Sequence, residues 1–424
     1  EVRMKRKKLW IIGGLGLIVV LIIFLGIPEI KKSLIKYSQS YKELITEEVL
    51  VKEVVTQGRA EKIGQGKDEI NILYLKGTFY EMGFQQGELL KDNVKNCIES
   101  VLSYCYKYLA KEEEGLNRSV VDFLLDEAYK KMEPYIPDDY KEEMIGLADG
   151  SGEPLKNIQR VHTIPGLTEI SCSAFAAFGK ATKDGNLYQL RILDYIMEFG
   201  VQDYPTIIVY QPKYGNSFVS IGWAGFTGVV SGINNKGIVI SEMSGGNPED
   251  KLPWIPSSHP EETISGIPMI FLLKKVLHYS DNVNESLGIL KSAKKTNYYV
   301  YLVGDGITNG KESKARAVFS AKKFFKVYID NDPDYPIPAL KDIIYGSHYN
   351  EKCCQLLKKF YGKIDPLLMM EKINCNIAME CNLQCIVYDP KNLRFWVANA
   401  EGKNRACEQN YILFDFGKTL ETFN

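Results

Sequence analysis

The sequence predicts an α+β fold, in which helices and antiparallel strands occupy separate stretches of the chain. From Ile72 to about Ala148, a short strand leads into a long region of helical periodicity, interrupted at Pro134 and Pro137. From Cys172 onward, the chain changes to short β-type runs separated by hairpin-turn sequences. Later blocks return to helix and then to strand. Strand runs with segregated helices are typical of layered α+β folds.

The composition limits the classes of function. The chain has 424 residues, a formal net charge of -1, 45% hydrophobic residues and 25% charged residues, values that are ordinary for globular proteins. This charge gives no reason to expect a nucleic-acid partner. Histidine is scarce, with four in the chain. A mechanism that needs a histidine base therefore has few candidates.

The N-terminus predicts a membrane anchor. An uncharged run of 19 residues extends from Leu9 to Ile27 and can just span a hydrocarbon core at ~1.5 Å per residue. The basic residues before it favour a cytoplasmic tip, with the rest of the chain outside the cytoplasm. The run is long for a cleaved signal peptide, and no A-x-A-like site follows it. We therefore expect an uncleaved signal anchor, a single-pass location in the cell membrane and an extracytoplasmic catalytic domain.

The chain divides into four predicted units. The charged, mixed composition after the anchor indicates a stalk that ends near Gly64. The boundary between residues 171 and 172 follows the change from helical to strand-like sequence patterns. The units are 1–28, the cytoplasmic tip and transmembrane anchor; 29–66, the stalk or linker; 67–171, a mostly helical segment; and 172–424, the catalytic segment.

The individual elements follow from local patterns. A strand is predicted over Ile72–Leu75, with a turn at Gly77. Thr78 and Glu81 have the spacing of a capping box, so a helix is predicted to begin there. The later predicted helices are 264–279, 283–293 and 351–361, and the later predicted strands are 172–182, 186–195, 204–212, 217–223, 229–233, 237–243, 297–305, 315–321, 324–330, 384–400 (two strands and a turn) and 410–417.

The nine cysteines are an odd number, so at least one thiol is free or pairs between chains. Outside the cytosol, others can form disulfides. Cys375, Cys381 and Cys385 lack the paired C-x-x-C spacing of zinc sites, and no histidine is close to them in sequence. Buried or disulfide-bonded cysteines are therefore favoured over a metal site. We expect no metal and no cofactor.

Cys172 is the candidate nucleophile. A thiol needs a base or an environment that lowers its pKa. His162, ten residues upstream, is one conceivable base, although a surface loop histidine is the more common case. Cleavage of the peptide bond before Cys172 offers another base, because the freed α-amine has a pKa near ~8. That arrangement needs no histidine.

The sequence after Cys172 is compatible with such a site. A turn at Asp184-Gly185 would return a second strand that carries Arg191 and Asp194. Arg191 could stabilise a thiolate, and Asp194 could hold the α-ammonium, although a structural ion pair is the simpler role for both. A simple hairpin register about this turn places Cys172 opposite Met197. Residues three apart point to opposite faces of a regular strand. Arg191 and Asp194 can therefore both act on Cys172 only where the strand is irregular.

Three stretches resemble a known family. "GTFYEMGFQQGELL" (77–90), "CSAFAAFGKATKDGNLYQLRILDY" (172–195) and "GINNKGIVISEMSGG" (232–246) resemble motifs of N-terminal nucleophile hydrolases. The similar branch is that of the acyl-CoA:6-aminopenicillanic acid acyltransferase-like (isopenicillin N acyltransferase-like) proteins, related to choloylglycine hydrolases and acid ceramidase. The resemblance extends in order over roughly 72–417. The glycine-rich stretch 77–90 alone would be weak evidence for this family, whereas the two hairpin motifs together are specific to it.

The resemblance implies a four-layer αββα sandwich and self-cleavage between Ser171 and Cys172. Cys172, with Arg191 and Asp194, would then form an acyl-enzyme from an amide or thioester and pass the acyl group to water or an amine. Ser244 and Ser347 stand where relatives carry asparagines that polarise the oxyanion. Asn247 and His348, beside them, are further oxyanion or substrate candidates.

Three functions remain open from the sequence. They are a membrane-anchored amidase or acyltransferase, a ligand-binding ectodomain without activity, and an uncut thiol hydrolase that uses His162 or His348. The expected partner is a small-molecule amide or acyl substrate, and the anchor favours an amphipathic one. Trp223 and Phe226 are candidates for the pocket wall. The identity of the substrate is not readable from these patterns.

Overall fold

A computed structural model of the chain describes residues 57–112, 118–167, 172–244, 264–296, 298–306 and 314–422. Within these ranges, no helix combines the length and the apolar character needed to cross a bilayer. The predicted anchor over Leu9–Ile27 lies outside the described residues. The anchor and the location in the cell membrane therefore stay predictions.

The described residues form an α+β fold, as predicted. The main helices are α1 (Phe79–Leu89), α2 (Lys91–Glu112), α3 (Arg118–Met132), α4 (Asp138–Ser151), α5 (Leu155–Thr163), α6 (Met269–Tyr279), α7 (Val283–Ser292), α8 (Asn350–Lys359) and α9 (Phe416–Thr422). The strands are β1 (Arg59–Ile63), β2 (Ile70–Gly77), β3 (Ser173–Ala177), β4 (Tyr188–Asp194), β5 (Pro205–Pro212), β6 (Phe218–Trp223), β7 (Ser231–Asn234), β8 (Ile238–Ser244), β9 (Tyr299–Asp305), β10 (Lys314–Ala321), β11 (Phe324–Tyr328), β12 (Ile343–Gly346), β13 (Asn382–Asp389), β14 (Arg394–Asn399) and β15 (Ile412–Asp415).

The strands build two sheets. The first has the order β1-β2-β5-β6-β7-β8-β9-β10-β11, and the second has the order β12-β3-β4-β13-β14-β15. Among the described strands, β2 and β5 pair in parallel and the other neighbours pair antiparallel. This mixture follows from the chain order, because the helices α1–α5 and the β3–β4 hairpin lie between β2 and β5.

The two sheets stack face to face between helical layers. Ile207 and Val219 of the first sheet belong to one buried cluster with Ile386 and Phe395 of the second. Helices α1, α6 and α7 contact the first sheet, and the helical segment 366–377 contacts the second. The four-layer αββα order expected from the sequence resemblance is therefore present in the described chain. Burial of these apolar side chains is its main stabilising contribution.

The glycine-rich stretch 77–90 has a packing role. A Cβ atom added at Gly83 would lie 2.0 Å from the backbone oxygen of Glu143, and one added at Gly146 would lie 2.0 Å from that of Tyr80. Helices α1 and α4 thus approach closely enough for only glycine to fit at these positions. The capping box at the start of α1 is confirmed, since Thr78 and Glu81 exchange both side-chain bonds. This motif supports the helical layer, and none of its residues is among those that line the cavity described below.

A buried ion pair joins α4 to α6. The Lys274 ammonium contacts the Glu143 carboxylate, and both side chains are fully buried. Lys274 also donates to the backbone oxygen of Thr227 at 2.7 Å. The pair therefore holds the loop between β6 and β7, and that loop carries Phe226 into the cavity described below.

Replacing Lys274 with methionine should lower the free energy of unfolding by about 3–5 kcal/mol, because Glu143 then stays buried without its partner. Chemical denaturation would measure this loss. The double variant Lys274→Met/Glu143→Leu should regain most of the stability, since a buried pair can often be replaced by apolar residues. An unchanged unfolding midpoint in the single variant would contradict the importance of the pair.

Two of the differences between the backbone and the sequence-based expectations concern an unpredicted strand and the register of a hairpin. The last part of the predicted stalk, Arg59–Ile63, forms the edge strand β1 and pairs with β2. Its residues are almost all exposed, so the sequence there lacks the alternation of hydrophobic and polar residues that would predict a strand. The second difference concerns the β3–β4 hairpin and is described with the site.

Candidate active site

The β3–β4 hairpin places Cys172 at the end of two inner strands of the second sheet. Ser173 pairs with Ile192, and Ala177 pairs with Tyr188. The predicted register, with Cys172 opposite Met197, is wrong by four residues. A 3-10 turn over Gly179–Ala181 lengthens the connection between the strands, so the pairing is not centred on Asp184-Gly185. Cys172 therefore lies beside the end of β4.

Cys172 faces a largely apolar cavity. The empty space measures about 670 Å³ including its mouth, and Cys172 is 4% exposed. Among the described residues, Cys172 and Glu242 supply the charged or thiol groups of the lining, and the remaining walls are aliphatic, aromatic or thioether. Those walls include Val161, Ile164, Leu193, Phe199, Trp223 and Phe226. The cavity suits an apolar group held next to a thiol.

Arg191 lies beside the thiol and is neutralised by Glu242. The Arg191 guanidinium is fully buried and donates through Nη2 to Glu242 Oε1 at 2.9 Å. Burial raises the pKa of the Cys172 thiol to about 12; the Arg191 charge opposes this increase, and Glu242 adds to it. In the uncut chain the thiol is therefore protonated at neutral pH. An additional base is needed to activate it.

Asp194 lies on the other side of the strand from Arg191. Its Oδ1 accepts from the backbone N–H of Met379 at 3.2 Å and from Nδ2 of Asn382 at 3.1 Å. Oδ2 is buried and has no hydrogen-bond donor among the described residues. Burial raises the pKa of Asp194 to about 7, and these two hydrogen bonds act against the increase. The site therefore contains a carboxyl oxygen that can accept one further donor.

Arg191 and Asp194 can both serve one cysteine because Cys172 lies at the end of the hairpin. The Cys172 thiol is 3.8 Å from the backbone oxygen of Asp194. The expected irregularity is present, but in the neighbouring strand: the β4–β13 register shifts between Asn382 and Gln384. This bulge turns Asn382 toward the carboxylate.

The serine and histidine candidates lie at different distances from this centre. Ser347 exchanges a hydrogen bond of 2.7 Å with Ser173, the residue after Cys172. His348 is exposed and packs edge-on against Tyr349. Neither Ser347 nor His348 is among the residues that line the cavity. Their oxyanion roles stay predictions.

Ser244 ends β8, where it pairs with Tyr299, two residues after Glu242. Asn247 and Ser171 lie outside the described residues, and their roles stay predictions. Trp223 and Phe226 both line the cavity that contains Cys172, which is where their predicted role would require them.

His162 is bonded through both ring nitrogens. Nδ1 donates to the backbone oxygen of Ile158 at 2.7 Å, and Nε2 accepts from the backbone N–H of Thr227 at 2.8 Å. Because the Thr227 N–H can only donate, Nε2 must be unprotonated. Burial lowers the pKa of His162 to about 4. The side chain supports the β6–β7 loop and is not available as a base for Cys172.

The site also contains two residues that the sequence patterns do not single out. Glu242 pairs with Arg191 across the sheets, and Asn382 binds Asp194 from β13. Both are far from the β3–β4 hairpin in the chain. Near them, Cys375 and Cys407 form a disulfide; among the described residues, no group of acidic, histidine and cysteine side chains has the arrangement of a metal site.

The fold and the site can be compared with what the sequence resemblance implies. Four αββα layers, with a cysteine before the first strand of a buried hairpin and an arginine and an aspartate at the end of the second, are the features that the resemblance to N-terminal nucleophile hydrolases implies.

No protein-family model matches the chain. The chain is similar to two proteins of Dictyostelium discoideum. It is 28% identical to Protein dcd1B over 69% of this chain and 60% of that protein, and 29% identical to Protein dcd1A over 73% and 74%.

Two solved structures are similar at lower identity. One is a Caenorhabditis elegans ortholog of N-acylethanolamine-hydrolyzing acid amidase, 14% identical over 52% of this chain and 93% of that chain, with a TM-score of 0.39. The other is a mutant conjugated bile acid hydrolase from Clostridium perfringens, 13% identical over 58% and 93%, with a TM-score of 0.40.

Proposed function

We propose that the protein is a cysteine amidohydrolase or acyltransferase that cleaves itself before Cys172 and acts through an acyl-cysteine. The observation that carries this proposal is the arrangement around Cys172. A buried thiol lies at an apolar cavity, with a guanidinium beside it and an aspartate whose Oδ2 has no described donor. A location outside the cytoplasm on a membrane anchor belongs to the same proposal and is supported by the sequence alone.

The first step would be self-cleavage. The Cys172 sulfur attacks the carbonyl carbon of Ser171, and the C–N bond breaks to leave a thioester and a free α-amine. Water then hydrolyses the thioester, which gives a carboxylate on Ser171 and regenerates the thiol. The resulting α-ammonium can donate to Asp194 Oδ2, the acceptor that the uncut chain leaves open.

The second step would be acyl transfer. The neutral α-amine of Cys172 takes the thiol proton, and the sulfur attacks the substrate carbonyl. The α-ammonium then gives that proton to the nitrogen of the substrate, which leaves as a free amine while the acyl group stays on Cys172. Water or a second amine then attacks the thioester and releases the acyl group. Arg191 stabilises the thiolate that forms on Cys172.

The cavity indicates the class of acyl group. Its walls are nearly all apolar, so they gain free energy from burying an aliphatic or aromatic acyl chain, about 25 cal/mol per Å² removed from water. A charged acyl chain would lose its hydration without a compensating partner. We therefore propose amides of apolar acids as substrates.

Intact-mass measurement of the full chain tests the cleavage. We expect fragments that correspond to 1–171 and 172–424, with cysteine at the new N-terminus. A chain that stays whole under all conditions, and whose Cys172 also resists alkylation, would instead support a ligand-binding ectodomain. That alternative shares the apolar cavity but not the chemistry.

Fluorogenic anilides test the activity on the cleaved protein. Phenylacetyl and octanoyl amides should be hydrolysed faster than the succinyl amide of the same leaving group, because the succinyl carboxylate is costly to bury. Equal rates for all three would contradict the proposed acyl preference. The uncut hydrolase that would use His162 or His348 is disfavoured, because both nitrogens of His162 are already bonded and His348 is not among the residues that line the Cys172 cavity.

The activity should fall steeply below neutral pH. The pKa of Asp194 is about 7 in the uncut chain because of burial, and an adjacent α-ammonium would lower it from that value. The amine itself has a pKa near ~8. As pH decreases, log(kcat/KM) should first fall with a slope of one and then, once Asp194 also takes a proton, with a slope approaching two. Asp194→Asn should keep only the slope of one in a pH–rate profile.

A further inference from the structure

Asn382 donates a side-chain hydrogen bond to the Asp194 carboxylate. It is fully buried at the start of β13, and its register partner in β4 is Asp194 itself. Asn382 Nδ2 donates to Asp194 Oδ1 at 3.1 Å and to the backbone oxygen of Leu193 at 3.3 Å. Its side chain thus binds Asp194 and the backbone just before it.

The orientation of the Asn382 amide is fixed by a backbone donor. The N–H of Cys407 lies 2.8 Å from Asn382 Oδ1, and a backbone N–H can only donate, so the atom facing it must be the oxygen. The NH₂ group must then face Asp194. Cys407 is disulfide-bonded to Cys375, and the segment from Cys375 leads to Met379, the second donor to Asp194 Oδ1.

These bonds make the two carboxylate oxygens unequal. Oδ1 has two donors, and Oδ2 has none among the described residues. A carboxylate held in this way can rotate only by breaking both bonds. The open oxygen is thereby kept for one additional donor.

We propose that Asn382 is a positioning residue, which holds Asp194 ionised with Oδ2 directed to the freed α-amine, and that the disulfide-bonded turn at Cys407 sets its orientation. This inference rests on the proposed function, since it assigns the α-amine as the partner of Oδ2. Asn382 is not itself among the described residues that line the cavity; it reaches the lining only through the backbone oxygen of Leu193.

Other charged or titratable groups also act on Asp194 and must be held constant in a test. Arg191 and Arg405 lower the pKa of its carboxyl, while burial dominates in the opposite direction. The remaining groups that interact with its charge are Cys172, Cys381, Cys385 and Tyr349. A substitution at Asn382 replaces none of them, but it removes the hydrogen bond that Cys385 Sγ donates to Asn382 Oδ1 at 3.1 Å.

The test compares pH–rate profiles of the cleaved wild-type protein and Asn382→Leu, with a phenylacetyl anilide as the probe. Leucine has a similar volume but no donor. The steep limb is the acidic part of the profile, where the slope of log(kcat/KM) against pH approaches two. Loss of a hydrogen bond to the charged Asp194 carboxylate should raise the pH at which this limb begins by about one to two pH units. The plateau at high pH should stay within about tenfold of the wild-type value. An unmoved limb with a lowered plateau overturns the proposal, because it is the result of a purely structural defect.

Gln384→Leu is the matched control. Gln384 is a buried amide two residues along the same strand, but its Nε2 donates to Asn399 Oδ1 at 2.9 Å. Its removal should not move the limb. A shift equal to that of Asn382→Leu would overturn the proposal, since it would make the effect general to β13.

Two further variants keep the proposal testable where Asn382→Leu does not fold. Asn382→Ser removes the long amide with a smaller loss of packing and should shift the limb in the same direction. Cys375→Ala/Cys407→Ala should shift it less, because the backbone N–H of residue 407 remains; an unchanged limb would overturn the role of the turn. A wild-type chain that is neither cleaved nor active rejects the proposed function itself, whereas an active wild type with unshifted variants rejects only this inference.

Discussion

Replacing Cys172 with alanine should leave the chain uncut and reduce the hydrolysis of apolar amides on the order of 10⁶-fold in kcat, as removal of a covalent nucleophile does in other hydrolases. The thiol supplies the attacking atom in both self-cleavage and acyl transfer, so one substitution removes both. Gel analysis of the purified chain and single-turnover assays would measure the two effects.

Cys97→Ala is the control for this prediction. Cys97 is fully buried in α2, and burial raises the pKa of its thiol strongly, as it does for Cys172. The control variant should be cleaved and active at close to the wild-type rate. Cleavage in Cys172→Ala at the same bond would contradict the assignment of the nucleophile.

Replacing Glu242 with glutamine should make the Cys172 thiol more reactive while making the protein less stable. The carboxylate raises the pKa of Cys172, whereas Arg191 lowers it. Without that negative charge, the thiol pKa falls, so alkylation of Cys172 by iodoacetamide at pH 7.5 should accelerate severalfold in the uncut chain. The free energy of unfolding should decrease by about 3–5 kcal/mol, because Arg191 is left buried without its counter-ion.

Glu143→Gln separates the two effects. It disrupts the buried pair with Lys274, which lies outside the Cys172 cavity lining, and should destabilise the chain by a similar amount. Alkylation of Cys172 should then keep its wild-type rate. Equal acceleration in both variants would mean that loosening of the fold, and not the charge of Glu242, exposes the thiol.

Much of the fold is predictable from local patterns. Thr78 and Glu81 mark the start of α1 because capping needs only neighbouring residues. The β-type runs after Cys172 coincide with strands because their side chains are nearly all buried. The parallel pairing of β2 with β5 is not local: it joins Asn71 to Thr206 across five helices and a hairpin. No pattern near either residue indicates it.

The polar groups around the thiol were predictable only where one hairpin contains them. Cys172, Arg191 and Asp194 are close in sequence, and the structure brings all three together. The register of the β3–β4 pairing was not predictable, because the turn at Gly179–Ala181 lengthens the connection and the Asp184-Gly185 sequence does not reveal it. Glu242 and Asn382 reach the site across the sheets, so their roles depend on tertiary packing alone.

The place of β2 has a consequence for the cleaved protein. β2 lies before the proposed cut and pairs with β5, after it, over seven residue pairs from Asn71–Thr206 to Gly77–Pro212. The two products would therefore share one continuous sheet, and neither could keep its hydrophobic face covered alone. They should remain a non-covalent heterodimer that separates only in denaturant. Any tether carried by residues 1–56 would then still hold the catalytic fragment, although no peptide bond joins them.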